Sequence, residues 1–227
     1  SVANPEKASF LQRFFKTGEG QYAEGDLFLG LVVPLTRSIA KANKNTPLSE
    51  IELLIQSKYH EARLCALLIL VEQFKKANEL QRGVLYDFYL NHIDSINNWD
   101  LVDISCPYIV GNYLLDKDRS RLYELAESKH LWSQRIAVVS TIAFIRKGEF
   151  LDTFALSGKL LNHEHDLMHK AIGWMLREVG KKDRAALTDF LERNASLMPR
   201  TSLRYAIEHY PETERKAFLS VKQIKNK

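Results

Sequence analysis

The chain has few of the residues that break secondary structure or cross-link small folds. Its 227 residues include ten glycines, six prolines and two cysteines. Such low glycine and proline contents exclude collagen-like folds and chains made mostly of loops. The sequence contains no run of about 18 apolar residues, so we expect no membrane-spanning helix. The first residues lack the apolar stretch of a signal peptide, and no Asn-Gly or Asp-Gly hairpin turn supports β-strands.

The overall composition is that of an ordinary folded protein. Hydrophobic residues make up 45% of the chain and charged residues 26%, which excludes a wholly disordered polypeptide. Cys65 and Cys106 lie among apolar neighbours, which favours a reducing environment and predicts a cytoplasmic protein. The 32 basic and 28 acidic residues give a net charge of +4. This balance permits a nucleic-acid partner but does not require one.

The apolar residues recur with the period of an amphipathic helix. Three segments, His60–Lys76, Leu131–Lys147 and Leu167–Val179, place them three and four residues apart. Glycine follows the second and third segments, at Gly148 and Gly180, where it is typical of a helix C-terminus. The pattern therefore predicts an all-α protein of short-linked helices.

Basic residues open successive apolar segments at intervals that suggest a repeat. Arg63, Arg135 and Lys170 are separated by 72 and 35 residues, or about two repeats and one. A period of about 35–45 residues with two or three helices is typical of an armadillo or HEAT-type α-solenoid. The fold class that we predict is a right-handed α-solenoid of HEAT-like repeats. We therefore predict one such domain over residues 1–227, with a glycine-rich loop at residues 16–26 and a frayed basic tail at residues 222–227. A compact helical bundle with accidental spacing is the alternative.

Trp99 and Asp103 are candidate binding or catalytic residues. They are four positions apart and share one face of a helix. An indole beside a carboxylate suits a cation, because the ring face and the acid both attract positive charge. The alternative is a tryptophan packed in the core, with Asp103 in solvent and Asp100 or Asn98 capping the helix.

Tryptophan and basic residues also share helix faces farther along the chain. Trp132 and Arg135 are three apart, while Lys170, Trp174 and Arg177 follow at four-residue and three-residue intervals. Arginine offers forked donors to phosphate, and indole offers a flat apolar surface. The alternative is an aromatic core stripe whose arginines extend to water.

Two further segments carry residues that could bind phosphate or a metal ion. Arg200 and Ser202 lie near the start of a predicted helix, where free amide groups favour phosphate; a capped helix with solvated arginines is the alternative. His165 and His169 have helical spacing, but they lack the glutamate of the His-Glu-x-x-His pattern. We therefore predict no metal site and no cofactor.

Several motifs resemble the AlkD-type DNA alkylation repair family. They are Trp99-Asp100-Leu101-Val102-Asp103, Pro107-Tyr108-Ile109-Val110-Gly111, Trp132-Ser133-Gln134-Arg135 and Lys170-Ala171-Ile172-Gly173-Trp174-Met175-Leu176-Arg177-Glu178. The similarity runs from about Leu27 to Phe218. It implies a solenoid of HEAT-like repeats that holds double-stranded DNA on its concave face. It also implies excision of cationic N3- and N7-alkylated purines by hydrolysis of the N-glycosidic bond.

The resemblance also assigns roles to individual positions. It implies that Asp103 is the catalytic acid and that Trp99 and Trp174 flank the sugar of the damaged nucleotide. It implies contacts with the DNA backbone at Arg135, Lys170 and Arg177, to which the helix start at Arg200 adds a further candidate. Nothing in the sequence predicts an oligomer, so we expect a monomer.

The sequence departs from the family near its N-terminus. Glycosylase members have room there for a short helix that carries DNA contacts and an aromatic residue, whereas this chain has the segment Gly18–Gly25. Tyr22 could supply the aromatic ring from a loop. Two alternatives to a glycosylase therefore stay open: a DNA-binding relative without excision activity, and a protein-binding scaffold.

Overall fold

A computed structural model describes residues 3–224 and confirms the all-α class. Within this range, the sole β-type pairing is an isolated bridge between Leu27 and Tyr59. No helix in the described part of the chain is long and apolar enough to cross a membrane. The chain divides into two compact units, Ser1–Tyr113 and Leu114–Lys227. The single HEAT-like domain over residues 1–227 stays a prediction.

The first unit is built around a long buried helix. Its helices are α1 (Pro5–Phe14), α2 (Val33–Ala42), α3 (Leu48–Ile55), α4 (His60–Phe74), α5 (Glu79–Asn91) and α6 (Trp99–Ser105). A 3₁₀ turn at Ile93–Ser95 precedes α6, and a π-helical turn at Pro107–Gly111 follows it. Helix α4 packs against α2, α3, α5 and α6, so it forms the core of this unit.

The second unit has a central helix of its own. Its helices are α7 (Ser120–Glu127), α8 (Leu131–Ser140), α9 (Ile142–Ile145), α10 (Leu151–Lys159), α11 (Asp166–Lys182), α12 (Arg184–Asn194), α13 (Arg200–Ala206) and α14 (Glu212–Ser220). Helix α11 packs against α8, α9, α10, α12 and α13. The predicted segment Leu167–Val179 therefore lies within the best-packed helix of the unit.

The predicted segment Leu131–Lys147 is interrupted rather than continuous. Helix α8 ends at Ser140, and the short α9 begins at Ile142. Between them, the Thr141 hydroxyl donates to the carbonyl of Val138 at 2.7 Å, so this side chain competes with the backbone ladder. Gly148 follows with a positive φ of 82° in the closing turn, where the sequence predicts a helix stop.

Gly180 does not end a helix, and this prediction is wrong. Helix α11 continues through it to Lys182. A Cβ atom at Gly180 would lie 2.5 Å from Cδ2 of Leu187, a residue of α12. The glycine therefore allows α11 and α12 to pack closely and has no role as a cap.

The two ends of the described chain are held by hydrogen bonds. Residues 15–26 form turns rather than a helix. The main-chain N–H of Asn4 donates to Leu29 at 2.8 Å, and this bond anchors the start of α1. At the other end, Ile224 donates from its N–H to Ser196 at 2.8 Å. The rest of the tail predicted to be frayed, residues 225–227, lies outside the described residues.

Candidate functional site

Helix α6 carries the first two candidate residues one turn apart. Trp99 is its first residue, and the side chain of Asn98 accepts a hydrogen bond from the Trp99 N–H at 2.8 Å. Asp103 follows within the same helix, and both side chains are partly exposed. The predicted N-cap at Asn98 and the shared helical segment are therefore both present, and neither residue is sealed in the core.

Aromatic rings of α1 and the residue after it hold the Trp99 indole from one side. The ring centroid of Trp99 lies 6.2 Å from that of Phe14 in an edge-on arrangement and 5.5 Å from that of Phe15. Phe15 is buried and Phe14 is exposed. The indole therefore has fixed neighbours but keeps part of its surface accessible.

A buried histidine links the beginning of α6 to the loop that precedes α2. His60 donates from Nε2 to Oδ2 of Asp100 at 2.8 Å, and its Nδ1 lies 3.5 Å from Oδ2 of Asp26. Burial by itself lowers the pKa of His60, but the hydrogen bonds to Asp100 and Asp26 outweigh it and raise the pKa to about 9. His60 is therefore an imidazolium at neutral pH.

Asp26 is the centre of the same polar cluster. Arg63 donates to its Oδ2 at 2.6 Å, and the amide of Asn97 donates to its Oδ1 at 3.0 Å. Burial raises the pKa of Asp26, but the hydrogen bond from His60, the charge of Arg63 and the Asn97 amide together hold it below its ordinary value. Asp26, His60, Arg63, Asn97 and Asp100, here called the α6 anchor, tie the loop, α4 and α6 together.

Sequence reasoning did not find the α6 anchor. Its histidine is 34 residues from Asp26 and 40 residues from Asp100, so no local spacing connects the three. The sequence predicts Asp100 only as a helix cap, and Arg63 only as the start of a repeat. The one available signal was a run of ionisable residues at the ends of apolar segments, and that signal is weak.

In the second unit, α11 presents Lys170, Trp174 and Arg177, and all three are partly exposed. The neighbouring Gly173 explains how the helix is placed. A Cβ atom at this position would lie 2.5 Å from the Cβ of Tyr205 and 2.6 Å from the carbonyl oxygen of Ser202. Because α13 approaches the helix so closely at Gly173, the position of the adjacent Trp174 is well determined.

The two cations on α11 have acidic neighbours. Lys170 is 41% exposed, and its Nζ lies 2.8 Å from Oδ2 of Asp166. Arg177 is bound to Glu208 through Nη1, and its Nε lies 3.7 Å from Oε1 of Glu178. Surface ion pairs of this kind are weak, so a phosphate group can compete for either cation.

The two arginines predicted to contact DNA from other helices, Arg135 and Arg200, are bound to the protein's own backbone. Arg135 is only 4% exposed, and its Nη1 donates to the carbonyl of Leu167 at 2.5 Å. Arg200 donates to the carbonyls of Leu219 and Val221 at 2.6 and 3.2 Å. Both guanidinium groups therefore join helices of the second unit, whatever further contacts they make.

The remaining predicted positions are also located. Tyr22 is half-buried within the turns at residues 15–26. Trp132 is 4% exposed and packs in the core of its unit. In the histidine segment, the ring of His163 lies 2.9 Å from Oε1 of Gln134. Across residues 3–224, no group of three or more His, Cys, Asp or Glu side chains could hold a metal ion.

Comparisons with known proteins give a family. Residues 1–210 match the model of the DNA alkylation repair enzyme family. Among solved structures, one described as "Predicted DNA alkylation repair enzyme from Enterococcus faecalis" is similar in fold, with 17% identity and a TM-score of 0.71. The match covers 92% of this chain and 97% of that one. No curated protein matches. Since the family model spans most of its length, the chain belongs to the DNA alkylation repair enzyme family.

Proposed function

We propose that this protein is a DNA glycosylase that releases cationic N3- and N7-alkylated purines from double-stranded DNA. The observation that carries the proposal is the arrangement on α6, where a partly exposed indole and a partly exposed carboxylate lie one turn apart. We assign the second indole to Trp174 on α11 because the family resemblance implies that role. In this proposal the protein acts as a monomer and uses no cofactor.

The reaction requires little beyond charge stabilisation. An alkylated purine carries a positive charge, so the C1′–N bond breaks with its electron pair moving to the base, which becomes neutral. The deoxyribose gains oxocarbenium character, and the carboxylate of Asp103 stabilises this positive charge. The indole faces of Trp99 and Trp174 contribute through their negative quadrupoles. Water then adds to C1′ and releases a proton to solvent.

Basic residues of the second unit supply the affinity for DNA. We assign the larger phosphate contacts to Lys170 and Arg177, which pair with the exposed carboxylates of Asp166 and Glu208. Arg135 and Arg200 contribute less, since each already donates to main-chain carbonyls. Tyr22 contacts DNA from its turn rather than from a helix. Phosphate binding of this kind weakens steeply as salt is added.

The direct test measures release of 7-methylguanine from duplex DNA that contains this lesion. We expect release well above the spontaneous rate, together with salt-sensitive binding of the same duplex. Release at the spontaneous rate with retained DNA binding would contradict the proposal and favour a non-catalytic DNA-binding protein. This outcome is tested because residues 15–26 form turns where glycosylase members have room for a short helix. Failure to bind any DNA at low salt would contradict both and favour a protein-binding scaffold.

A further inference from the structure

The buried ring of His60 is connected to Trp99 through one intervening ring. The centroid of Phe15 lies 5.0 Å from that of His60 and 5.5 Å from that of Trp99. Phe28 stacks on His60 at 4.7 Å and on Phe15 at 5.3 Å. Because buried side chains are closely packed, a shift of the His60 ring displaces Phe15 and, through it, Trp99.

A hydrogen bond provides a second connection between His60 and Trp99. Nε2 of His60 donates to Oδ2 of Asp100, the residue that follows Trp99 in the first turn of α6. Oδ1 of the same carboxylate accepts from the N–H of Leu101 at 2.9 Å. The side chain of Asp100 therefore joins His60 to the main chain of α6 beside Trp99.

The proton on His60 determines how many carboxylates its ring can hold. An imidazolium has two N–H donors, and the two ring nitrogens of His60 face Asp100 and Asp26. A neutral ring has one N–H donor. Asp26 also accepts hydrogen bonds from Arg63 and Asn97. Asp100 therefore depends more strongly than Asp26 on the His60 proton.

The charged groups around His60 balance only when His60 is protonated. They come from α1, α4, α6 and the loop before α2, and three of them, Lys7, Glu61 and Asp100, line the same cavity as His60. The acids are Asp26, Glu61 and Asp100, and the cations are Lys7, Arg63 and His60 itself. Loss of the His60 proton leaves one acid in excess in a buried region, where an uncompensated charge is unfavourable.

We propose that His60 is a positioning residue of the proposed reaction, and that its protonated ring holds Trp99 in place through Phe15 and Asp100. The inference rests on the proposed function, because it explains how one of the two assigned indoles is kept in position. His60 is 1% exposed, so it acts through its neighbours rather than by contact with DNA. When the proton is lost, the hold on Asp100 weakens and Trp99 shifts at the start of α6. A misplaced group of this kind slows the reaction.

The first test follows Trp99 by its fluorescence. The chain has three tryptophans, so the double variant Trp132→Phe/Trp174→Phe leaves Trp99 as the single emitter. We expect its emission to change as the pH rises through about 9, the pKa of His60. Adding His60→Gln should abolish this transition. Adding His209→Gln, at an exposed position, should leave it unchanged.

Asp100→Asn is a second variant, used alongside His60→Gln because His60 is buried. It keeps a hydrogen-bonding group at position 100 but removes a charge that raises the pKa of His60. In the single-tryptophan background, the Trp99 transition should therefore move from about 9 toward the ordinary histidine value of 6.5. A transition that stays near 9 in this variant would contradict the coupling.

The second test compares rates of base release from duplex DNA that contains 7-methylguanine, with protein in excess. We expect the wild type to react about tenfold faster than His60→Gln at neutral pH, and at the same rate as His60→Gln once the pH exceeds the His60 pKa of about 9. Taking the ratio of two rates at one pH cancels the titration of the substrate itself. A merely structural role for His60 would leave this ratio independent of pH.

Three results would overturn the inference: an emission from Trp99 that is constant through pH 9, a transition that persists in His60→Gln, and a rate ratio that does not change with pH. Base release with a pH-independent Trp99 would overturn this inference and leave the proposed function standing. A His60-dependent transition of Trp99 without any base release would overturn the proposed function and leave the coupling of His60 to Trp99 standing.

Discussion

The imidazolium of His60 donates a hydrogen bond to the carboxylate of Asp100 at 2.8 Å, and Asp100 directly follows Trp99 in the chain. This bond joins the first turn of α4 to the first turn of α6, and the ring of His60 stacks on Phe28 at 4.7 Å. The helix that carries Trp99 and Asp103 is therefore held at its first turn by a buried, charged hydrogen bond. Because the charge of this bond depends on the His60 proton, the stability of the fold depends on pH.

The first prediction concerns stability as a function of pH. The folded chain holds the His60 proton up to a pH of about 9, whereas the ordinary pKa is 6.5. The stabilisation is therefore complete below pH 6.5 and is lost as the pH rises through about 9. We expect the free energy of unfolding, measured with denaturant, to fall by on the order of 2 to 3 kcal/mol across this window.

The matched variants for this prediction are His60→Gln and His209→Gln. The first should flatten the pH profile and lower stability at neutral pH, because Asp26 and Asp100 lose their shared cation. His209 is exposed, so its variant should retain the wild-type profile. An unchanged slope in His60→Gln would show that the pH dependence comes from other groups.

The second prediction separates two tryptophans of the second unit. Trp132 is 4% exposed, so Trp132→Ala should cost about 3–5 kcal/mol of stability by leaving a cavity. Trp174 is partly exposed, so Trp174→Ala should cost less than about 2 kcal/mol while slowing base release about tenfold. Thermal unfolding and base release, measured on both variants, check this. Equal losses of stability would argue that Trp174 is merely a core residue.

How much of the fold the sequence predicts depends on how local each signal is. The helical period identified the segment beginning at His60, which is α4. It could not show that Thr141 interrupts the next such segment, because a threonine hydroxyl bonded to the backbone leaves the apolar pattern unchanged. Nor could it show that Gly180 makes room for Leu187. A contact between two helices leaves no trace in local spacing.

In the candidate site, too, local spacing predicts some features and tertiary contacts determine the others. The one-turn relation of Trp99 and Asp103 follows from their spacing and is present in α6. The contacts that hold this helix depend on residues brought together by tertiary structure, such as His60. The burial of Arg135 could not be inferred either, because it depends on a contact with Leu167, which is 32 residues away in the chain.

The third prediction distinguishes cations that bind phosphate from those that bind the protein. Lys170→Ala should weaken DNA binding and reduce the slope of log affinity against log salt by about 1. Arg200→Ala should instead cost about 1–3 kcal/mol of stability, because it leaves the carbonyls of Leu219 and Val221 without their donors. The exposed Lys216→Ala is the control for lost charge. A salt slope unchanged in Lys170→Ala would remove this residue from the interface.

The fourth prediction concerns the packing of α1, whose Phe14 ring lies against Trp99. Gly30 has a φ of 80°, and a Cβ atom there would lie 2.1 Å from the carbonyl oxygen of Asn4. Gly30→Ala should therefore cost more than about 2 kcal/mol and expose α1 to proteolysis. Gly20 has a φ of 70° but open space around it, so Gly20→Ala should show only about 1 kcal/mol of backbone strain. Similar losses in the two variants would contradict the close approach at Gly30.

The carboxylate of Asp103 is the central group of the proposed reaction, and single-turnover release of 7-methylguanine from duplex DNA tests its role most directly. With protein in excess, Asp103→Asn should release the base about a hundredfold more slowly than the wild type, with DNA affinity unchanged. Asp94→Asn, at an exposed position of the same unit, should react at the wild-type rate. Release by Asp103→Asn at the wild-type rate would contradict the account.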